Sequence, residues 1–397
     1  MSEFIYFPSF SAGAMGNQLE KGLKLDNGLT IRFYSEEFPE RYRHPELLIT
    51  AGHHYKDEDY KNDLGLTDKN LVMGDSGGYQ IASGAIKWKL EIRDKIFNWL
   101  EHNSDVAMNL DIPPKIKYEG KYEECLTVSK DNFKYFADRQ SGNTDFLNVI
   151  QGTTEHEYMN WYSEVKQFPF QGWAVGGGGR NLYTFMSGVM TILNGKEHLK
   201  DINRWIHILG VSKIKDFLML SQLQKSLDDV GSNMRVTTDS SSPDRAVVFG
   251  SFYSGYSIKR ATFESINVPK YNESFKGLEP TYLPQITEFD REHLKDAITW
   301  DHTFDWKGNC TMAIRLHNFM VFKEAIDRCK YYITSHPYIL EQVVSPDMFK
   351  LLSSIDEMVK SDNPYKVFQN YKPLYLKLSN VDDSEFSKEK KHDYFGI

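Results

Sequence analysis

Short apolar runs and amphipathic stretches alternate along most of this chain. The runs with β character are Leu47-Leu48-Ile49-Thr50, Leu71-Val72-Met73, Val106-Ala107-Met108-Asn109-Leu110, Phe146-Leu147-Asn148-Val149-Ile150, Trp173-Ala174-Val175, Trp205-Ile206-His207-Ile208-Leu209 and Met234-Arg235-Val236. Between most of them the apolar positions recur at helical spacing, over residues 119–139, 155–166, 182–194 and 213–229. In the last stretch Ile214, Phe217, Leu218, Leu220, Leu223 and Leu227 fall at mixed steps of three and four. Strands spaced roughly 30–40 residues apart with a helix between them suit βα units and a parallel sheet. Seven or eight such units predict an α/β fold of the (β/α)8 TIM-barrel class rather than an open doubly wound sheet. Helical patterning returns at 311–330 and 346–360. Residues 363–378 are rich in Tyr and Lys, and 381–393 form a charged run. The expected organisation is a barrel over residues 1–330, then a C-terminal helical extension and charged tail over 331–397.

Composition narrows the class. A chain of 397 residues with 40% apolar and 26% charged residues suits a soluble barrel with an extension. Met1-Ser2-Glu3-Phe4 does not open a charged-then-apolar leader, and no apolar run has spanning length. A cytoplasmic protein without membrane contact is expected. Cys125, Cys310 and Cys329 are too few and too scattered for a disulfide framework. The formal charge of -8 argues against a protein that coats nucleic acid. It leaves room for an enzyme that grips a few phosphates through a local basic patch.

The unusual residues gather at one kind of position. Asp75, Asp111, Gln151, the glycines 176–179 and Asp239 each follow directly on an apolar run. At the ends of parallel barrel strands, such positions share the catalytic mouth. Asp75 opens Asp75-Ser76-Gly77-Gly78-Tyr79-Gln80, where the glycine pair admits a flat ligand, Tyr79 offers a ring and Ser76 and Gln80 offer polar edges. Asp111 and Gln151 carry acceptors and a side-chain amide suited to a purine edge. Two carboxylates facing one pocket, Asp75 and Asp239, suit attack on an anomeric carbon by one and proton transfer by the other. Taken singly, Asp111 also reads as a turn cap before Pro113-Pro114, and Asp239 as part of a polar turn. Cys310 and His317 fall short of the four ligands of a structural zinc site, and His317 reads better as a buried hydrogen-bonded histidine. Tyr253–Arg260 is a candidate for contacts with a nucleic-acid backbone.

Together the motifs resemble those of the tRNA-guanine transglycosylases. Asp75-Ser76-Gly77-Gly78-Tyr79-Gln80, Asp111 before Pro113-Pro114, Val149-Ile150-Gln151-Gly152, Gly172-Trp173-Ala174-Val175-Gly176-Gly177, Leu209-Gly210-Val211 and Asp239-Ser240 occur in that family's order and approximate spacing, over residues 45 to 330. The resemblance implies a (β/α)8 barrel that exchanges guanine in a polynucleotide for a free 7-deazaguanine base, with no nucleotide cofactor. It implies Asp239 as nucleophile and Asp75 as general acid/base. It gives Asp111, Gln151, Gly176 and Gly177 to guanine reading, and Tyr79 and Leu209 to the two faces of the base.

Departures from the family sharpen the expectation. The family's Cys-x-Cys-x-x-Cys cluster is missing around Trp306-Lys307-Gly308-Asn309-Cys310, although His317-Asn318 matches its histidine end. No zinc is therefore expected. The bacterial enzymes place a glutamate after the Gly-Gly loop to hold an aminomethyl cation; here the loop reads Gly178-Gly179-Arg180-Asn181-Leu182, without an acid. A neutral incoming base is expected, 7-cyano-7-deazaguanine first. Without zinc and without the C-terminal RNA-binding domains of archaeal members, the chain looks more like the DNA-guanine transglycosylases of bacteriophages and of bacterial DNA-modification clusters. DNA is the expected polymer and tRNA the alternative, with homodimerisation left open. Two rivals remain: a noncatalytic transglycosylase-like subunit and an unrelated barrel glycosidase.

Overall fold

The computed structural model describes residues 3–9, 22–24, 30–36, 38, 40, 43–114, 122–177, 181–267 and 309–379, with side chains from 314 in the last segment. Eight parallel strands form its centre. They are β1 (Ile5–Pro8), β2 (Glu46–Thr50), β3 (Leu71–Asp75), β4 (Val106–Met108), β5 (Asp145–Ile150), β6 (Gly172–Val175), β7 (Trp205–Ile208) and β8 (Arg235–Ser240). Their order in the sheet is β1-β8-β7-β6-β5-β4-β3-β2, and the end strands β1 and β2 lie against each other. The sheet is thus nearly closed into a (β/α)8 barrel.

Burial on both faces explains why the strands read as apolar runs instead of alternating patterns. Every residue of β4 and β6 is buried. The strand that pattern reading did not single out is β1. It is only four residues long, and Tyr6 and Phe7 are buried there by pairing with β8, with Phe7 opposite Asp239.

Besides single turns at Ala51–His54 and Tyr60–Asp63, the α-helices that follow the strands are α1 (Gly78–Ala82), α2 (Leu90–Asn103), α3 (Tyr122–Ala137), α4 (Glu155–Val165), α5 (Leu182–Asn194), α6 (Ile214–Asp229) and α7 (Ser242–Val248). Thr154 starts α4 by accepting from the Glu157 amide, and Asn181 starts α5 by accepting from Thr184. After α7 comes an antiparallel hairpin of β9 (Ser251–Ser257) and β10 (Thr262–Asn267). Helix α8 (Asn309–Thr334) then packs against α6, α7 and β9. It runs through residue 330 without a break.

Three further helices follow: α9 (Pro337–Val343), α10 (Pro346–Lys360) and α11 (Pro364–Ser379). The fixed φ of Pro337 and Pro346 suits a first helical turn, and His336 and Ser345 cap it. α10 lies on α6 and α11 lies on α5. This accounts for the composition of α5, which is buried at every residue from Leu182 to Leu193. A helix covered on both sides has no polar face to show. The charged run 381–393 lies outside the described residues. Among the described residues no helix is long and apolar enough to cross a membrane.

Candidate active site

Asp75, Asp111, Gln151 and Asp239 stand at or just beyond the C-terminal ends of the barrel strands. Asp75 ends β3, and Asp239 is the second-last residue of β8. Gln151, Gly176 and Leu209 directly follow β5, β6 and β7, and Asp111 lies three residues beyond β4. In a parallel barrel this is one mouth.

Glycines let the loops crowd there. Gly77 has φ +82°, and a Cβ on it would stand 2.7 Å from the Gly52 Cα. A Cβ on Gly78 would stand 2.0 Å from the Asp111 carbonyl oxygen, and one on Gly176 2.2 Å from Gln151 Nε2. No side chain fits at these approaches, so these glycines let the β3 loop close on the β2 and β4 loops and the β6 loop on the β5 loop. Ser76 is 1% exposed, and its hydroxyl donates to the Asn109 carbonyl at 3.1 Å. It therefore ties the β3 loop to the β4 loop and presents no edge to a ligand. The Gln80 amide lies 3.3 Å from the His53 ring, while Tyr79 is 48% exposed.

Asp75 is gripped from two sides. Its Oδ2 accepts from the Thr50 hydroxyl at 3.0 Å, and its Oδ1 accepts from the Gly77 amide at 3.1 Å. Thr50 is its register partner on β2. Burial pushes the Asp75 carboxyl above the usual carboxylate range, and the charge of Asp239 pushes it the same way. The two acids, far apart in sequence, therefore sense each other across the mouth. Asp111 is 7% exposed and takes a 2.8 Å hydrogen bond from Gln151 Nε2 on its Oδ2. Burial, reinforced by the charge of Asp75, raises its pKa to about 7. Asp75 thus shares its charge environment with both Asp239 and Asp111.

Asp239 has partners that pattern reading missed. Its Oδ1 accepts from the Gly210 amide at 2.8 Å and lies 3.3 Å from His207 Nε2. Among the described residues its Oδ2 is reached only by the Ser9 hydroxyl, at 3.5 Å. His207 is fully buried on β7, with Nδ1 2.8 Å from the Thr237 hydroxyl. With the hydroxyl donating to Nδ1, the ring N–H at Nε2 points at Asp239. The clue lay in the register: His207 pairs with Thr237, and Asp239 is two residues further along the same face of β8. Gly210 takes φ +68° directly after Leu209, which turns its amide toward the carboxylate.

Other candidates separate from this cluster. Gly178, Gly179 and Arg180 lie outside the described residues. His317 is buried on α8 and donates from Nε2 to the Tyr253 carbonyl at 2.7 Å. Burial lowers its pKa to about 4. Cys125 and Cys329 are each buried, and the Cys329 thiol donates to the Ile214 carbonyl. Among the described residues no three His, Cys, Asp or Glu side chains are grouped as a metal site needs. Tyr253, expected on a nucleic-acid loop, is 9% exposed and stacked on Phe263, and Tyr256 donates to Glu324. That part of the hairpin faces inward because its aromatic rings pack on α8.

Comparison with models of known protein families gives no match, and comparison with curated proteins gives none either.

Proposed function

We propose that the chain is a base-exchange transglycosylase that replaces guanine in DNA with a 7-deazaguanine through a covalent aspartyl intermediate. The observation that carries this reading is that Asp75, Asp111 and Asp239 stand at or just beyond the C-terminal ends of barrel strands around one mouth, with Asp111 paired to Gln151. Asp75 and Asp239 supply bond exchange, and the Asp111–Gln151 pair supplies recognition of a purine edge.

The target nucleotide leaves the base stack, because C1′ is out of reach inside a duplex. Asp239 Oδ1 is held by Gly210 and His207, so the less tethered Oδ2 is the attacking atom. It forms a bond to C1′ as the bond to guanine N9 breaks, and the electron pair passes to the leaving base. Asp75 donates the proton that base takes up. Its raised pKa favours the protonated form needed for this step. The incoming base then loses its N9 proton to Asp75, attacks C1′ and releases Asp239. Two inversions return the original configuration. Asp111 and Gln151 read the base, and Tyr79 and Leu209 flank it. The family that the motifs resemble holds zinc through a cysteine cluster. This sequence has no such cluster, Cys329 is buried against Ile214, and His317 is bonded to Tyr253, so no step runs through a metal. With no acid in Gly178-Gly179-Arg180-Asn181-Leu182, a neutral 7-cyano substituent suits the loop better than a cation.

The test is exchange of labelled guanine into DNA and into tRNA, with a denaturing gel to capture the covalent adduct. DNA is expected to take up label, and Asp239→Ala is expected to lose both label and adduct. Asp75→Ala should slow exchange by about 10²–10⁴-fold, the usual range for a general acid. Undiminished exchange by Asp239→Ala would remove the mechanism. Label entering tRNA alone would reassign the polymer. Faster incorporation of the 7-aminomethyl base than of the 7-cyano base would overturn the loop argument.

A further inference from the structure

We propose that the loop joining α1 to α2, with Lys87, Trp88 and Lys89 at its outer end, grips the polynucleotide strand beside the extruded nucleotide. The inference rests on the transglycosylase reading and names the surface by which that site holds its polymer.

The loop is continuous with the mouth. The charge of His53 acts on Asp75, His53 pairs with Gln80, and the Gln80 carbonyl accepts from the Ile86 amide at 3.1 Å. The next three residues are Lys87, Trp88 and Lys89. Both lysines are exposed and Trp88 is half-buried. Neither lysine enters an ion pair among the described residues. Other lysines do, as Lys61 with Asp105 and Lys130 with Glu164 on the barrel, and Lys372 of α11 with Glu155.

Lys89 also stands where folding would not choose it. It is the N-cap residue of α2, with φ -153° and ψ 152°, and its side chain makes no cap hydrogen bond. A cation at a helix N-terminus opposes the helix dipole, and Ser, Thr, Asp or Asn would stabilise that end. Helix stability therefore does not account for this lysine. In a chain of net charge -8, two unpaired cations flanking an indole at the rim of the mouth match a phosphate backbone with an accessible base. Glu91 stands in the first turn of α2, where it answers the helix dipole that Lys89 opposes, and further along Asp94 faces Arg93 at 3.8 Å.

The probe is a fluorescent single-stranded DNA oligonucleotide containing guanine, followed by anisotropy across a salt series. Replacing both Lys87 and Lys89 with Gln should lower the slope of log affinity against log salt by about 1.4, and Arg at both positions should restore it. Trp88→Leu keeps apolar bulk but not the stacking face, and should weaken binding by about 5- to 150-fold, whereas Trp88→Phe should retain most of it. Binding of free guanine by each variant checks that the barrel is intact. If salt slope and affinity are the same in all variants while wild-type protein exchanges guanine into DNA, the loop proposal alone fails, and the surface is left to a protein partner. If wild-type protein neither binds the oligonucleotide nor exchanges guanine, the transglycosylase reading fails with it.

Discussion

Asp111 sits where a carboxylate is disfavoured. It is nearly covered, it faces the charge of Asp75, and its one strong side-chain donor is Gln151. Its folded pKa of about 7 exceeds the unfolded value of about 3.9. Between those two pH values the native state holds more protons than the unfolded chain, so stability falls as pH rises through this window. Above pH 7 the full penalty is present. Asp111→Asn removes it and keeps an oxygen for Gln151. The variant should match the parent near pH 4 and exceed it at pH 8 by at most about 4 kcal/mol. Urea unfolding at pH 5, 6.5 and 8 measures the difference, and a pH-independent gap would contradict the assignment. Guanine affinity should move the other way. The carboxylate accepts from the base's donors, so parent affinity should rise through pH 7 while that of the Asn variant stays flat. The placement of Asp75, Asp111, Gln151 and Asp239 at the mouth was open to sequence reading because each ends or closely follows a recognisable strand. His207, Thr50 and Ser9 were not, because a polar residue inside or beside a strand acquires its partner only from register. Ser76 was misjudged for the converse reason: a hydroxyl in a loop is equally free to turn inward.

At the scale of elements, apolar runs that recur with a helix between them announce seven of the eight strands. β1 was not singled out although Phe4-Ile5-Tyr6-Phe7 is such a run, because its place in the sheet comes from pairing with β8, more than 200 residues away. Helix bounds came out close for α5 and α10, where a capping Asn181 or Ser345 marks the start. The joint between α7 and α8 carries no such mark. Asp244 on α7 and Arg315 on α8 form an ion pair in which both side chains are almost wholly buried. Asn318 reinforces it by donating to the Pro243 carbonyl at 3.0 Å and accepting from the Tyr253 amide at 2.8 Å. Removing one partner of such a pair strands the other charge in the interior, which costs about 3–5 kcal/mol. Arg315→Met should therefore lower unfolding free energy by about that amount. Adding Asp244→Leu should recover much of the loss, since a well-packed apolar pair is often no worse than the ions. Chemical denaturation of the two single variants and the double variant reads the coupling. Strictly additive losses would mean that the two residues act separately. Because β8 runs through Ser240 into α7, a loosened joint should also disturb Asp239, seen as a lower exchange rate at unchanged guanine affinity.

For the whole molecule, the C-terminal helices are a second outer layer over one flank of the barrel. Tyr183 of α5 packs at a tilt against Phe368 of α11, and the Tyr183 amide donates to Ser379. Ser226 of α6 donates to Asp356 of α10, and Lys372 reaches across to Glu155. Leu351, Leu352, Ile355, Met358 and Phe368 are all buried in this layer. At about 1.5–3 kcal/mol each, they amount to as much as the whole net stability of an ordinary domain, about 5–15 kcal/mol. A chain ending at Thr334 would also uncover the apolar outer face of α5. Such a truncation is expected to be insoluble, or to lose cooperative unfolding and bind a hydrophobic dye. A soluble truncation with a sharp transition and the parent's denaturation midpoint would mean that the barrel stands without its buttress. The mouth offers an independent check. Gly176 and Gly177 lead into α5, so loss of α11 should loosen the β6 loop before the β3 loop. Guanine binding should then weaken in the truncated chain even at temperatures where far-ultraviolet circular dichroism still reports a folded barrel.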